Sequence, residues 1–198
     1  VSFPLEGASW PMWYNMAILK EAGVEKVPTT IDELIEASQK IRAAGYQPLV
    51  VAGADWAGQG FFNVINSTLM TNQEFGEVYA KGNFGESQNF VDSVKLLVKL
   101  RDAGVFADNS EGLDVDTMVQ QFYDGKAAMM HAGSWSFAEP PEEMMKDIVI
   151  GGFPLPGGSP WAKPIVPFTY GGKGVWITRN GAEKMDAVEK FVKFFFHY

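Results

Sequence analysis

The sequence has no cysteine, which excludes disulfide bonds, thiolate nucleophiles and cysteine metal ligands. Its only histidines, His131 and His197, lie too far apart to form a paired metal-binding motif. No apolar run approaches the roughly 20 residues that a membrane-spanning helix requires. A charged and then apolar signal segment is also missing from the first residues, "VSFPLEGASW", which resemble the interior of a longer protein. We therefore expect a fragment without thiol chemistry.

Positive charge is scarce as well. The 16 Lys and Arg residues are outnumbered by 24 Asp and Glu residues, giving a net charge of −8 and an isoelectric point near 4.8. Nucleic acid and anionic membrane surfaces do not attract such a chain electrostatically. We expect neither as a partner.

The glycine-rich stretches match no familiar cofactor-binding or catalytic signature. "GADWAGQG" and "GGKGVW" cluster glycines, but neither is a dinucleotide-binding fingerprint or a P-loop. "AGSWS" is not a nucleophile elbow, because Ala132 and Ser136 stand where that motif has glycines. "ADNSEGLDVD" concentrates oxygen ligands, yet its glycine is out of register for an EF-hand, so a solvated loop is favoured over a calcium site. No cofactor and no metal site is predicted.

Aromatic side chains, in contrast, are abundant: six Trp, six Tyr and fifteen Phe among 198 residues. The apolar fraction of 46% and charged fraction of 20% are typical of a soluble globular protein. The length suits one good-sized domain, or one lobe plus part of another. Rings in such numbers either build a dense core or line a binding site.

Hydrophobic periodicity predicts short strands separated by more numerous helices, which indicates a helix-rich α/β fold with crossover connections. The clearest helix begins at a capping box formed by Thr30 and Glu33 and ends before Gly45. The helix at 87–103 is expected to bury Phe90, Val94, Leu97 and Val98. The other predicted elements are helices at 13–22 and 115–123, strands at 48–53, 127–132 and 148–154, and a loop at 54–60.

Three tryptophans, Trp10, Trp56 and Trp135, fall in predicted loops or at element ends, each among small or polar neighbours. A pyranose ring has an apolar C–H face, which a flat indole covers, and a belt of hydroxyls, which carboxylates and amides bind. Asp55 adjoins Trp56, and Glu139 lies about one helical turn beyond Trp135. These residues predict a saccharide-binding site in which the three indoles converge on one water-accessible concave surface.

Other interpretations of the same residues remain open. Each tryptophan, taken singly, is also explained by partly buried packing. A glycoside hydrolase combines tryptophans with two carboxylates about 5–10 Å apart, and Asp55 and Glu139 could fill those roles. A protein-interaction module uses exposed aromatic side chains as interface hot spots.

Four stretches in the same order resemble the extracellular solute-binding proteins (family 1) that serve sugar-importing ABC transporters. One begins "WYNMAILKEAGVEKVPTTIDEL", the second is "FYDGKAAMMHAGSWSF", and "GGFPLPGG" and "YGGKGVWITRN" follow. Met16 and Ile31 depart from the family pattern, which has lysine and tryptophan there. The matching positions in the first two motifs are Tyr14, Asn15, Ala22, Gly23, Pro28, Asp32, Glu33 and Leu34, then Phe122, Gly125, Lys126, Ala127, Ala128, Met129, Gly133 and Trp135.

The resemblance implies a periplasmic-binding-protein-like (type II) fold in which two lobes hold a sugar between them. Residues 1–172 would form the C-terminal lobe with its hinge strands, and 173–198 would belong to the other lobe. The resemblance implies that Trp135 would stack on the sugar, and Trp10 and Trp56 match positions where members of the family commonly contact their ligand. Further contacts are expected at Tyr170, Gly171 and Gly172.

The resemblance also implies a role and a place for the protein. It would be a non-catalytic receptor, either periplasmic or a cell-surface lipoprotein, that delivers a sugar or oligosaccharide to ABC permease subunits. The apolar stripe of the last helix would lack its partner in a fragment, so we expect it to pack across the lobe or to mediate self-association. That stripe comprises Val188, Phe191, Phe194 and Phe195.

Overall fold

The computed structural model describes residues 2–4, 7–138, 140–170 and 174–196. The chain divides into two compact units, Trp10–Pro167 and the pair of segments Val1–Ser9 and Phe168–Tyr198. Within the described residues, no helix combines the length and apolarity needed to cross a membrane. These two units are defined only by contacts within the 198 residues of this chain. They do not test the assignment of 1–172 and 173–198 to two lobes of a longer protein, which stays a prediction.

In the part of the chain that the structure describes, eight short strands form three sheets. The larger unit contains a four-stranded sheet, and the smaller unit contains two antiparallel pairs, β1 with β8 and β2 with β7. The strands are β1 (Ser2–Pro4), β2 (Gly7–Ser9), β3 (Met12–Asn15), β4 (Gln47–Val50), β5 (Ala127–His131), β6 (Ile148–Gly151), β7 (Phe168–Tyr170) and β8 (Gly174–Trp176).

The four-stranded sheet has the order β4-β5-β3-β6. β4 and β5 are parallel, whereas β3 runs antiparallel to both of its neighbours. His131, the last residue of β5, therefore pairs with Met12, the first residue of β3. The chain leaves β4 and β5 at the same end of the sheet at which it enters β3.

Helices cover both faces of this sheet, as the sequence predicts for a helix-rich α/β fold. The helices are α1 (Met16–Glu21), α2 (Ile31–Ala43), α3 (Trp56–Leu69), α4 (Asn72–Lys81), α5 (Gln88–Asp102), α6 (Val115–Tyr123), α7 (Glu142–Met145), α8 (Arg179–Ala182) and α9 (Met185–Phe196). Short 3₁₀ turns lie at Phe84–Glu86, Ser110–Gly112 and Ser134–Ala138.

Alternation along the strands divides the core into two clusters. Met12, Tyr14, Leu49 and Met129 face a cluster built with α1, α2, α3 and α5. Trp13, Val50 and Met130 point the other way and pack with Met118 and Phe122 of α6. β5 is buried along its whole length, because strands flank it on both edges and helices cover both faces.

The local signals predicted several elements correctly. α6 and β5 lie where expected, and the capping box at α2 is present, with the Glu33 amide donating to Thr30 Oγ1 at 3.2 Å and the Thr30 amide donating to Glu33 Oε2 at 3.3 Å. Backbone and side-chain hydrogen bonds from Thr29 hold the pKa of Glu33 down at about 2. Gly45 adopts a φ of 90°, the left-handed conformation predicted after the helix.

Three predictions were wrong. Trp13–Asn15 is strand and not helix, because β5 and β6 pair with it on both sides, and Asn15 caps α1 instead. The predicted loop at 54–60 is largely the first turn of α3. α5 buries Ser93, Leu96 and Leu100, whereas Val94 and Val98 are exposed, since this helix packs along α3 through the face that carries its small serine.

Candidate ligand-binding site

Trp10, Trp56 and Trp135 meet at one end of the four-stranded sheet. Trp10 lies two residues before the start of β3, Trp56 is the first residue of α3 after β4, and Trp135 lies in the 3₁₀ turn after β5. The sheet topology causes the meeting, since the parallel strands end where the antiparallel one begins. We call this the tryptophan end of the sheet.

The three indoles are in mutual contact. The ring centroids of Trp10 lie 5.6 Å from those of Trp56 and 5.0 Å from those of Trp135, with interplanar angles of 76° and 88°. Trp56 and Trp135 are 5.8 Å apart and tilted by 46°. Trp56 is 55% and Trp135 44% exposed, whereas Trp10 is half-buried. Trp56 and Trp135 therefore present exposed indole surface, and the half-buried ring of Trp10 packs against both of them.

Glycines allow two of these rings to lie close to the backbone. A Cβ at Gly133 would lie 2.1–2.4 Å from ring atoms of Trp135, so another residue there would displace the indole. A Cβ at Gly60, on α3, would lie 3.3 Å from the Trp10 ring. Gly133 and Gly60 are thus part of the site, because each leaves room for an indole. This role of the two glycines was not predicted from the sequence.

His131 forms a second aromatic layer below Trp10. Its ring is nearly parallel to the indole, at 16° with centroids 5.8 Å apart, and it meets the edge of Phe61 at 5.2 Å. The side chain is 1% exposed. Burial lowers the pKa of His131 from 6.5 to about 4, while the nearby Trp10 backbone acts in the opposite direction. Neither ring nitrogen has a partner at hydrogen-bonding geometry, so a neutral imidazole packs here as a structural ring.

Asp55 connects two helices at the tryptophan end. One carboxylate oxygen accepts from the Ala57 amide at 2.9 Å and caps α3, and the other accepts from the Val115 amide at 3.0 Å at the start of α6. The carboxylate fixes the position from which Trp56 projects. That the same carboxylate contacts a ligand stays a prediction.

The other four predicted contact residues lie wholly or partly outside the described part of the chain. Glu139, Gly171 and Gly172 lie outside the described residues. The backbone of Tyr170 belongs to β7 and pairs with Gly7 in the smaller unit, and its side chain also lies outside what the structure describes. Of the eight predicted site residues, the structure brings together the three tryptophans and Asp55.

A groove of about 860 Å³ lies elsewhere in the larger unit, between the start of α2, one face of α5 and the loop 155–164. Its charged walls are paired with one another, Lys99 with Asp32 at 3.0 Å and Lys95 with Asp92 at 2.8 Å. No tryptophan lines it. In the part of the chain that the structure describes, no group of three acidic, histidine or cysteine side chains is placed to hold a metal ion. We therefore locate the candidate site at the tryptophan end.

Comparisons with known proteins agree with the resemblance seen in the motifs. Residues 1–196 match the family described as bacterial extracellular solute-binding protein. The Multiple sugar-binding protein of Streptococcus mutans is 26% identical over 202 residues, covering 98% of this chain and 46% of that protein. The sn-glycerol-3-phosphate-binding periplasmic protein UgpB of Salmonella typhimurium is 26% identical over 206 residues, covering 98% and 44%.

A solved structure gives the same result for the fold. The probable secreted solute-binding lipoprotein from Streptomyces coelicolor superposes with a TM-score of 0.84 at 40% identity, covering 98% of this chain and 49% of that one. The predicted periplasmic-binding-protein-like fold is confirmed by this likeness. The chain spans about half the length of the curated relatives it matches. It belongs to the family of bacterial extracellular solute-binding proteins.

Proposed function

We propose that this chain is part of a carbohydrate receptor of an ABC importer, and that the tryptophan end of its sheet holds the sugar. The observation that carries the proposal is the convergence of three indoles of which two, Trp56 and Trp135, remain about half exposed. Large apolar side chains that are exposed together in one contiguous patch mark a surface for a ligand or partner. The C–H face of a pyranose is a suitable partner for each open indole face.

The geometry limits how a sugar binds here. A ring held between two aromatic planes needs those planes about 7–8 Å apart, because each layer of carbon atoms requires roughly 3.5–4 Å. Trp56 and Trp135 are 5.8 Å apart between centroids and tilted, which leaves no slot between them. The ligand therefore lies on the outer faces of the indoles. Gln59, exposed one helical turn after Trp56, is in reach as a hydrogen-bonding partner.

The names of the relatives support a receptor for carbohydrate or a similar solute. In the proposed protein two lobes close around the ligand, with 1–172 forming the C-terminal lobe and hinge strands and 173–198 belonging to the other lobe. The receptor delivers its sugar to ABC permease subunits. It works outside the cytoplasm, in a periplasm or as a cell-surface lipoprotein. Tyr170, Gly171, Gly172 and Glu139 add contacts to those of the tryptophans and Asp55.

Self-association through α9 is a further part of the proposal. Phe191, Phe194 and Phe195 are 52%, 66% and 50% exposed along one side of this helix. An apolar stripe of this kind favours contact between copies of the chain. Sedimentation velocity should show the average mass rising with concentration, and Phe194→Glu should reduce that rise.

The proposed receptor has no catalytic role. A glycoside hydrolase needs two carboxyl groups that exchange protons with the substrate or act as nucleophile. Both oxygens of Asp55 accept backbone hydrogen bonds that hold α3 and α6, which favours a structural use of this carboxylate. Binding without turnover is therefore expected.

Titration of the purified protein with a panel of neutral mono- and oligosaccharides tests the proposal, with tryptophan fluorescence as the signal. The same mixtures are analysed for hydrolysis products. We expect saturable fluorescence changes for at least one saccharide, no hydrolysis, and loss of the signal in the double variant Trp56→Ala/Trp135→Ala. Hydrolysis of a bound oligosaccharide, or affinity unchanged in the double variant, would contradict it.

A further inference from the structure

The start of helix α6 is bonded to the segment that carries Trp56. The Val115 amide donates to the carboxylate of Asp55 at 3.0 Å. A backbone bond extends this connection, since the Ala54 amide donates to the Leu113 carbonyl at 3.0 Å. The start of α6 therefore fixes the entry into α3, whose first residue is Trp56.

The end of the same helix is bonded to the turn that carries Trp135. Tyr123 is the last residue of α6, and its hydroxyl donates to the Ser136 carbonyl at 3.0 Å. Ser136 immediately follows Trp135 and is 1% exposed. Its amide closes the turn by donating to the Gly133 carbonyl at 3.1 Å. The tyrosine hydroxyl thus holds the side of the turn that follows the indole.

The side of the turn that precedes the indole is held from the sheet. Trp13 of β3 is fully buried, and its Nε1 donates to the Ala132 carbonyl at 3.2 Å. The Trp13 ring also meets Phe122 of α6 edge-on, with centroids 6.5 Å apart. Trp135 is 44% exposed, so packing restrains its ring on only part of its surface, and the turn has to supply the remaining restraint.

We infer that Tyr123 is a positioning residue of the proposed binding site, which sets the position of the Trp135 indole through the Ser136 carbonyl. The inference rests on the proposed function and assigns Tyr123 no contact with the ligand. Because α6 is bonded to both tryptophan-bearing segments, it maintains the 5.8 Å separation between the Trp56 and Trp135 centroids. A site held in its binding geometry loses less free energy to ordering when the ligand arrives.

Tyr123→Phe tests the inference, because it removes the hydroxyl and keeps the ring that lies beside Phe122. The indole N–H signals of the ligand-free protein are recorded by heteronuclear NMR, and the Trp135 signal is identified by its loss in Trp135→Phe. We expect this signal to shift in Tyr123→Phe, since the turn loses its bond at the Ser136 carbonyl. The Trp161 signal should stay in place, which would show that the fold is kept.

Tyr46→Phe is the matched control. The Tyr46 hydroxyl also donates a bond of 3.0 Å, to Glu21 Oε2, but Tyr46 immediately precedes β4, and the tryptophan end lies beyond the last residue of that strand. Calorimetry with the saccharide that gives the strongest signal in the panel should show about three- to fivefold weaker binding for Tyr123→Phe, because fewer molecules have the described turn. The control should change neither the Trp135 signal nor the affinity.

A double-mutant cycle separates positioning of the indole from a general loss of stability. Adding Tyr123→Phe to Trp135→Ala should change the affinity by less than about 1.5-fold, because the ring that Tyr123 positions is already absent. A further loss of about three- to fivefold in that background would show that the hydroxyl acts on the whole domain, and it would overturn the inference.

The indole signal distinguishes failure of the inference from failure of the proposed function. An unchanged Trp135 signal in Tyr123→Phe overturns the inference, whatever the affinity. If no saccharide binds the wild-type protein, the proposed function fails, and a shift of the Trp135 signal would still support the positioning role of Tyr123. A shifted signal, weaker binding and no further loss in the double variant support both.

Discussion

The two ends of the four-stranded sheet are built from the same strands but have opposite surface chemistry. At the tryptophan end, β5 finishes in buried His131 and the chain turns through Gly133 to an exposed indole. At the other end, which we call the charged end, the chain enters β5 through Asp124 and Lys126, an exposed ion pair at 2.8 Å. The strand between them is buried throughout and uncharged.

The difference shows which parts of this fold are free to specialise. Strand residues such as Met129 and Met130 are constrained by packing on both faces of the sheet. Segments that leave the sheet have no such constraint, and a rigid sheet positions whatever side chains they carry. The tryptophan end uses this freedom for apolar, open surface, whereas the charged end uses it for solvated charge.

The largest effect that distinguishes the ends concerns His131, whose pKa of about 4 lies below the ordinary 6.5. The unfolded chain takes up a proton at this residue before the folded chain does, so stability falls as pH decreases from about 6.5 to about 4. The loss amounts to roughly 3 kcal/mol for this residue. His131→Phe keeps the ring stack and removes the titration. Urea unfolding at several pH values should therefore show a shallower decrease for the variant.

The comparison with wild type cancels the contribution of the carboxylates, which titrate in both proteins. Equal pH dependence of the free energy of unfolding in the two proteins would mean that His131 is not a buried neutral ring. The layer beneath Trp10 would then need another explanation.

The second prediction addresses the open surface of the tryptophan end. Trp135→Ala should weaken saccharide binding about 30-fold, since truncating a tryptophan at the centre of a contact costs about 2 kcal/mol. Trp161→Ala is the control, because this half-buried tryptophan lies outside the cluster and bonds to the Ser67 carbonyl through Nε1 at 2.6 Å. The control should change thermal stability and leave affinity within about twofold. Equal losses of affinity in both variants would show that the effect is not specific to the tryptophan end.

The contrast between local and distant constraints also explains what could be predicted from sequence. The capping box of α2 and the span of α6 were predictable, because neighbouring residues determine both. Trp13 was assigned to the wrong element, since its partners Met130 and Ile150 lie more than a hundred positions away. The first turn of α3 was predicted as a loop, because Asp55 and the glycines after it resemble a loop when the hydrogen bond from the Ala57 amide to Asp55 is not known.

The three tryptophans of the site could be predicted from the sequence, but the residues that support and position their rings could not. The positions of Trp10, Trp56 and Trp135 in predicted loops or at element ends, among small or polar neighbours, indicated exposure, and the structure brings these residues together. The layer formed by His131 was not predicted, because nothing in a strand sequence shows which ring will stack on it. The clash that makes Gly133 necessary likewise depends on a rotamer of Trp135, which sequence does not specify.

The third prediction tests whether the turn at Gly133 determines the position of the Trp135 indole. Gly133→Ala should weaken saccharide binding about tenfold, because the new Cβ would occupy the space of the Trp135 indole and force the ring to another position. Gly76→Ala is the matched control, since an added Cβ at this site in α4 meets nothing within 4 Å. The control should leave affinity unchanged and stabilise the helix by about 0.5–1 kcal/mol.

Calorimetry measures the affinity of Gly133→Ala and Gly76→Ala, and the intrinsic fluorescence spectrum reports the environment of Trp135 in each variant. The spectrum of Gly133→Ala should shift because Trp135 changes its environment, and that of Gly76→Ala should not. Full affinity in Gly133→Ala would indicate that the indole binds ligand from a different position than the one described.

The smallest effect is expected at the charged end, where Lys126→Ala removes one partner of an exposed pair. Lys126 is 64% exposed, and surface pairs of this kind contribute little to stability because water and salt screen them. The bond from Lys126 holds the pKa of Asp124 below its usual range, so the variant should raise that pKa, as seen by NMR titration of the carboxyl. The Gln47 amide bonds to the Lys126 backbone and is unaffected by truncation of the side chain. Saccharide affinity should therefore stay within about twofold of wild type. A large loss of affinity in Lys126→Ala would show that the two ends of the sheet are coupled, and the contrast between them would fail.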